Sequence, residues 1–103
     1  MQDSVNIMVK LMEEIVPTEF QLSQNYPNPF KESTTIKYCV PDKMKIVLEI
    51  FDRNGIKVKT LVDEIKKAGT YKVEFNAKEL LSGEYLYKLE TTDFFETKKM
   101  IVL

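Results

Sequence analysis

Histidine is absent from this sequence, and only one cysteine and three glycines occur among its 103 residues. Without histidine, the common zinc sites and the Ser/His and Cys/His nucleophile pairs cannot be assembled. Three glycines do not supply GxGxxG or GxxxxGK[ST], so there is no phosphate-binding loop. We therefore expect no catalytic residue, no metal and no cofactor. A carboxylate-based enzyme stays formally open, but acidic residues scattered along strand faces usually only solvate the surface.

Long apolar runs and an excess of one charge are also missing. No stretch of about 18 apolar residues occurs, which argues against a transmembrane helix and against membrane insertion. The 15 basic and 16 acidic side chains leave a net charge of −1, so nothing indicates nucleic-acid binding. Residues 1–17 lack the basic start and continuous apolar centre of a secretory signal peptide. The protein is therefore expected either to stay in the cytosol or to be the end of a longer chain with its targeting signal upstream.

From Thr34 onward, apolar and polar residues alternate with the period of half-buried strands. A shorter strand is expected at residues 20–22, which makes seven strands with turn signals between them. This spacing predicts an all-β fold, an immunoglobulin-like antiparallel β-sandwich with Greek-key connections. The predicted inward positions are Ile36, Tyr38, Val40, Ile46, Leu48, Ile50, Ile56, Val58, Tyr71, Val73, Phe75, Tyr85, Tyr87 and Leu89.

Two local patterns refine the third and fourth strands. Asn54-Gly55 favours a two-residue type I′ hairpin, in which both central residues need a positive φ. The three-residue spacing from Val58 to Leu61 breaks the alternation and predicts a bulge near Lys59-Thr60.

Two other positions carry expectations of their own. Residues 76–83 form a connection that we expect to place Leu80 and Leu81 on a short helical turn. Cys39 has no second cysteine to pair with, which excludes an intrachain disulfide and leaves the redox compartment open. Because the alternation puts Cys39 on the outward side of its strand, we expect a half-exposed thiol without a nucleophilic role.

Residues 1–16 are expected to be a linker or tail from a preceding domain, and residues 17–103 the sandwich domain. The apolar residues of this first segment fit an amphipathic helix, with Lys10 and Glu14 one turn apart. Val5 to Leu11 fit strand alternation equally well, so both alternatives stay open.

The segment QNYPNPF, residues 24–30, does not follow the alternation. Each proline fixes its own φ and pushes the residue before it toward extended backbone. Asn25 and Asn28 are then free to cap nearby backbone groups. We interpret the segment as a rigid corner that takes the chain from one sheet to the other while Phe30 closes the end of the core. A partner protein could recognise the same shape.

Six segments, in order, resemble the type A C-terminal sorting domain of type IX secretion: PTEFQLSQNYPNPF, STTIKYCVP, IFDRNGIKVKTLV, AGTYKVEF, LSGEYLYKLET and FFETKKMIVL. The resemblance covers residues 17–103. Its most specific parts are the NPF of residues 28–30, the GxYxY-like residues 83–87 and the KKM of residues 98–100. At Lys31-Glu32 the sequence departs from the Asn-Pro with which the family usually continues.

The resemblance implies a non-catalytic label on a cargo protein that is exported to the cell surface or the medium. The implied partners are an upstream cargo domain in the same chain, outer-membrane translocon and shuttle proteins, and a sortase-like peptidase that commonly removes the domain. A related fold occurs in flagellar hook-capping proteins, so the alternative is a structural module, or a spacer or carbohydrate-binding module of a glycan-active enzyme. Carbohydrate binding favours exposed aromatics, and the exposure of Tyr26, Phe51 and Phe94 distinguishes these alternatives.

The candidate recognition residues belong to the same motifs: Asn28, Pro29, Phe30, Gly83, Tyr85, Lys98, Lys99, Met100, Ile101, Val102 and Leu103. For Gly83 and Tyr85, core packing is the favoured explanation. Because adjacent strand residues face opposite ways, either Lys98 or Lys99 points toward the apolar side or lies where the core has ended. Two explanations of these lysines stay open. Lysine on an edge strand deters aggregation; alternatively, the lysines belong to a contact surface beside an exposed edge that pairs with a strand of the partner.

Overall fold

The computed structural model describes residues 17–103, and the predictions for residues 1–16 lie outside that range. The described residues form seven strands and no helix. The strands are β1 (Gln21–Leu22), β2 (Ser33–Val40), β3 (Met44–Asp52), β4 (Lys57–Lys66), β5 (Gly69–Asn76), β6 (Gly83–Glu90) and β7 (Phe95–Val102). One sheet has the order β1-β2-β5 and the other β4-β3-β6-β7. All pairings between these strands are antiparallel.

The connections agree with the predicted immunoglobulin-like sandwich. Hairpins join β3 to β4 and β6 to β7, whereas the chain changes sheet after β2, after β4 and after β5. In the constant-type immunoglobulin arrangement the fourth strand pairs with the fifth. Here β4 instead pairs with β3, which makes β4 the outer strand of the wider sheet.

The core lies between the two sheets and contains most of the residues predicted to point inward. Ten of them are buried: Ile36, Tyr38, Val40, Ile46, Leu48, Ile50, Phe75, Tyr85, Tyr87 and Leu89. Tyr71 and Val73 are partly buried and pack against this cluster. The prediction was wrong for Ile56 and Val58, which are 63% and 37% exposed. Val58 lies at the start of the outer strand of a four-stranded sheet, and Ile56 lies directly before that strand. The sheet opposite has only three strands.

The bulge predicted near Lys59-Thr60 is present as two irregularities, one on each side of that pair. In the register with β3, Leu61 and Val58 have no partner residue. An unpaired residue inverts the alternation of the residues that follow. Because Leu61 is unpaired, Val62 lies opposite the buried Leu48, and Val62 is the residue of β4 that is buried.

The β3–β4 hairpin is not the predicted type I′ turn. Gly55 has a φ of 81°, and no non-glycine residue of the described chain has a positive φ. The Gly55 N–H donates to the Asp52 carbonyl at 3.0 Å, and Asp52 Oδ1 accepts the N–H groups of Asn54 and Ile56 at 2.9 and 3.0 Å. The Asp52 carboxylate therefore stabilises a longer loop with a single left-handed glycine, a common alternative to the two-residue hairpin.

Two further predictions were wrong. The segment after β5 contains a turn closed by the Leu80 N–H and the Ala77 carbonyl at 3.0 Å, and no helical turn forms there. Cys39 is buried, although it faces outward from the core as predicted. Its sulfur lies 3.6 Å from Gln21 Oε1 and 3.5 Å from Thr70 Oγ1. Because β2 is the central strand of its sheet, side chains from both neighbouring strands cover the thiol.

Candidate functional site

Residues 24–30, which we call the edge segment, lie along the outer edge of β7. Asn28 Oδ1 accepts the Ile101 N–H at 2.9 Å. The Phe30 N–H donates to the Ile101 carbonyl at 3.1 Å, and the Leu103 N–H donates to the Phe30 carbonyl at 2.8 Å. Phe30 and Val102 accordingly form a parallel bridge. The end of β7 is therefore hydrogen bonded to β6 on one side and to the edge segment on the other.

The start of the edge segment adds a fourth contact to β7. Gln24 Nε2 donates to the Lys99 carbonyl at 2.7 Å, and also to Asn25 Oδ1 at 2.7 Å. Both prolines of the segment follow cis peptide bonds, after Tyr26 and after Asn28. The segment thus contacts β7 near both of its ends, through Gln24 at one end and Phe30 at the other.

The expected corner role of the edge segment was partly wrong. The segment connects β1 to β2, which are neighbours in one sheet, so it does not transfer the chain to the other sheet. It reaches the edge of the other sheet and returns. Phe30 does close the end of the core as predicted, because it is buried and packs edge-on against Phe75 with the ring centroids 6.3 Å apart.

Asn25 anchors the edge segment inside the protein. Its N–H donates to the Tyr87 hydroxyl at 2.8 Å, and the hydroxyl donates to the Ser23 carbonyl at 2.6 Å. Asn25 Nδ2 donates to Thr34 Oγ1 at 2.9 Å and to the Pro27 carbonyl at 3.2 Å. Burial raises the pKa of Tyr87 to about 12, against a smaller opposite effect of the Asn25 N–H. The sequence predicted a capping asparagine here but gave no sign that it is buried.

The GxYxY-like motif of residues 83–87 has a structural explanation. The Tyr85 hydroxyl donates to the Leu81 carbonyl at 2.8 Å, which is the tyrosine corner found near the start of the sixth strand in immunoglobulin-like sandwiches. Tyr87 holds the edge segment, as described above. Gly83 has a φ of 145°, a backbone conformation that residues with a Cβ rarely adopt. The expectation of inward tyrosines with hydroxyl partners is confirmed.

The two lysines of β7 face opposite sides of the strand. Lys98 lies on the same side as the buried Met100 and Val102 but is half-exposed, so the core ends next to it. Its Nζ lies 3.4 Å from Glu96 Oε2. Lys99 is exposed, and its Nζ lies 3.6 Å from Glu84 Oε1.

The final residues alternate between burial and exposure. Met100 and Val102 belong to the core, whereas Ile101 and Leu103 are 36% and 59% exposed. The exposed edge that the recognition hypothesis places at residues 99–103 is not present, because the edge segment binds most of the outward backbone groups there. What this end of the strand offers to a partner is therefore its outward side chains together with the surface of the edge segment.

The three aromatic residues whose exposure tests the carbohydrate-binding alternative differ: Tyr26 is exposed, whereas Phe51 and Phe94 are partly buried. Tyr26 is 81% exposed. Phe51 lies under the ammonium of Lys88, 5.3 Å from the ring centroid, and Phe94 stacks on Phe20 at 4.6 Å. These three rings therefore do not form one exposed aromatic face. In residues 17–103 there is no group of three or more potential metal ligands, and no helix that is long and apolar enough to cross a membrane.

The fold and the site define an immunoglobulin-like module whose outer terminal strand is bound along its edge by an Asn-Pro-Phe segment. A family model described as "Secretion system C-terminal sorting domain" matches residues 24–103, and the chain belongs to this family. The domain is a C-terminal sorting signal of type IX secretion, of a family that is not catalytic. Membership implies an interaction with the secretion machinery and export to the cell surface or the medium. No curated protein matches the chain.

Proposed function

We propose that the secretion machinery recognises one composite surface, made of the exposed part of the edge segment and the outward side chains of the end of β7. The observation that carries this proposal is the hydrogen bond between Asn28 and Ile101. It joins two motifs that are far apart in sequence into one surface. A partner that binds this surface therefore contacts both motifs at once.

The candidate recognition residues divide into two groups by their contacts. Phe30, Tyr85, Met100 and Val102 are buried and hold the shape of the surface, and Gly83 supplies the backbone conformation at the start of β6. The exposed residues Asn28, Pro29, Lys99, Ile101 and Leu103 are left for direct contact. Lys98 is half-exposed and paired with Glu96. We therefore assign it the role of protecting the strand edge from aggregation, and not a contact with the partner.

The particular partners follow from this role. We assign recognition of the composite surface to an outer-membrane translocon component or its shuttle protein, and removal of the domain to a sortase-like peptidase. Residues 1–16 are then the linker to an upstream cargo domain, and residues 17–103 the sorting domain. The family match from residue 24 and the first strand at Gln21–Leu22 support this division.

The experiment fuses a reporter, behind a signal peptide, to residues 17–103 in a bacterium with type IX secretion. Deleting residues 99–103 is uninformative, because Met100 and Val102 are core residues and the domain would unfold. The test variant is instead Ile101→Thr with Leu103→Thr, which changes exposed side chains and keeps the backbone hydrogen bonds. The matched control is Ile56→Thr with Ile65→Thr, two exposed isoleucines in or beside β4.

We expect the unchanged fusion and the control to reach the medium or the cell surface, and the test variant to accumulate in the periplasm. Urea unfolding of the purified variants shows whether both still fold. Equal export of test variant and control would contradict recognition through this surface. Retention of the unchanged fusion in the periplasm would contradict the sorting role of residues 17–103 itself.

A further inference from the structure

The outer face of the three-stranded sheet contains a hollow beside the start of the edge segment. It has a volume of about 480 Å³ and is lined by Ser23, Gln24, Tyr26, Thr35, Lys37 and Lys72. This volume lies within the range of small-molecule sites. The lining residues carry two positive charges and no negative charge. Three other hollows of the described chain each include at least one carboxylate in their lining.

Lys37 and Lys72 are directly opposite each other in the register of β2 and β5. Like charges at opposed positions of two strands repel and destabilise the sheet. Neither lysine belongs to an ion pair within residues 17–103. The nearest carboxylate by register is Glu74, opposite Thr35, and it does not pair with them. An anion placed between the two ammonium groups would relieve this repulsion.

The charge of the two lysines favours a phosphate as that anion. The guanidinium fork of arginine matches carboxylates and phosphates alike, whereas lysine binds a phosphate as a compact point charge. A phosphomonoester carries about 1.5 to 2 negative charges at neutral pH. Two ammonium groups therefore neutralise one phosphomonoester, and one carboxylate would leave a positive charge uncompensated.

Tyr26 gives the hollow an apolar wall next to polar groups. Its backbone is fixed, because its N–H and carbonyl both pair with Thr35, at 3.0 and 2.9 Å, while its side chain is 81% exposed. An exposed tyrosine offers a flat apolar face and a polar tip. The side chains of Ser23, Gln24 and Thr35 add hydrogen-bonding groups nearby. This combination suits a ring with an apolar face and a hydroxyl-bearing rim.

We infer that the hollow between Tyr26, Lys37 and Lys72 binds a phosphorylated sugar. The phosphate lies between the two lysines, and the sugar ring lies against Tyr26 with its hydroxyls toward Thr35 and Gln24. The site lies on the outer face of the sheet and shares Gln24 and Tyr26 with the edge segment, but it includes none of the outward side chains of β7. The export test changes Ile101 and Leu103, which do not line the hollow, so failure of one proposal is distinguishable from failure of the other.

The test uses the full 103-residue chain and NMR titration with mannose 6-phosphate, inorganic phosphate, free mannose and a phosphoserine peptide. We expect mannose 6-phosphate to bind more tightly than the other three probes and to shift the amide signals of Thr35, Lys37 and Lys72. Lys37→Gln with Lys72→Gln should weaken its binding by about tenfold. Tyr26→Ala should weaken mannose 6-phosphate binding by about fivefold and leave the weaker binding of inorganic phosphate unchanged.

The matched control is Lys43→Gln with Lys78→Gln, which removes the same charge from other exposed positions. It should bind mannose 6-phosphate as the unchanged chain does. The inference is overturned if the control loses as much affinity as the Lys37 and Lys72 variant, or if no signal of the hollow shifts. It is also overturned if inorganic phosphate or the phosphoserine peptide binds as tightly as mannose 6-phosphate, because the sugar ring then contributes nothing.

Discussion

Asn28 and Ile101, 73 residues apart in the chain, are joined by a hydrogen bond of 2.9 Å from the Ile101 N–H to the Asn28 side-chain oxygen. Ile101 is also bound through its carbonyl by the Phe30 N–H. The outer edge of a terminal strand would otherwise present unpaired groups that template association with another chain. The Asn-Pro-Phe motif therefore has a physical role in any setting, because it covers the end of β7.

Replacing Asn28 tests this role directly. We expect Asn28→Ala to increase the hydrogen-exchange rate of the Ile101 amide by about fivefold to tenfold, which corresponds to a lost hydrogen bond of about 1 kcal/mol. The free energy of unfolding should fall by less than about 1 kcal/mol, because the bond is exposed to water. Asn28→Asp keeps the acceptor and serves as the control. An unchanged exchange rate in Asn28→Ala would show that the bond does not protect the edge.

The β3–β4 hairpin gives a second prediction at Gly55, whose φ is 81°. A Cβ at this position meets nothing within 4 Å, so a substitution is opposed by the backbone conformation alone. We expect Gly55→Ala to lower the free energy of unfolding by about 1 to 2 kcal/mol. Gly55→Asn should cost less, because asparagine enters the left-handed region more readily. Urea unfolding of the two variants measures the difference, and equal losses would contradict it.

The sequence alone predicted the two-residue period well and the irregular positions poorly. Ile46, Leu48 and Ile50 are buried as predicted, because β3 is a central strand with a neighbour on each side and a sheet opposite. Ile56 and Val58 have similar side chains, but Val58 lies in the outer strand of the wider sheet and Ile56 directly before it. Alternation shows which side of a strand is apolar, and it does not show whether another sheet covers that side.

The candidate site shows the same limit. Each motif was visible in the sequence, yet the contact of the edge segment with β7 depends on long-range pairing, which no local pattern contains. The sequence placed Cys39 on the correct face of its strand. The predicted half-exposure of its thiol was wrong, because Gln21 and Thr70 from the flanking strands cover it. At the β3–β4 hairpin, the sequence did contain a signal for the longer loop. Asp52, which precedes Asn54-Gly55, can accept backbone N–H groups and stabilise that loop.

The two tyrosines of residues 83–87 give a third prediction. Tyr87→Phe removes the partner of the buried Asn25 N–H and of the Ser23 carbonyl, whereas Tyr85→Phe removes only the bond to the Leu81 carbonyl. Leaving buried groups unpaired costs about 1 to 3 kcal/mol. We therefore expect Tyr87→Phe to lower the free energy of unfolding by about 2 to 3 kcal/mol and Tyr85→Phe by about 1 kcal/mol. Urea unfolding at neutral pH tests the order, and a larger loss for Tyr85→Phe would contradict it.

Burial of the Tyr87 hydroxyl also predicts a loss of stability in alkali. Its pKa is raised from 10.0 to about 12 in the folded protein, chiefly by burial. Between these values the unfolded chain has released the proton and the folded chain still holds it. The stabilising contribution is therefore complete below about pH 10 and is lost as the pH rises toward 12. A shift of this size corresponds to roughly 3 kcal/mol in total.

Lysines and other tyrosines titrate in the same range, so Tyr87→Phe is the necessary comparison. Urea unfolding of the unchanged chain and of the variant from pH 8 to pH 11 isolates the contribution of this one hydroxyl. We expect the stability advantage of the unchanged chain to shrink by roughly 1 kcal/mol by pH 11, because each pH unit between the two pKa values is worth about 1.4 kcal/mol. An advantage that stays constant across this range would mean that the Tyr87 hydroxyl is not held in a dry environment. The hydrogen bonds of the Tyr87 hydroxyl with Asn25 and Ser23 would then be open to water.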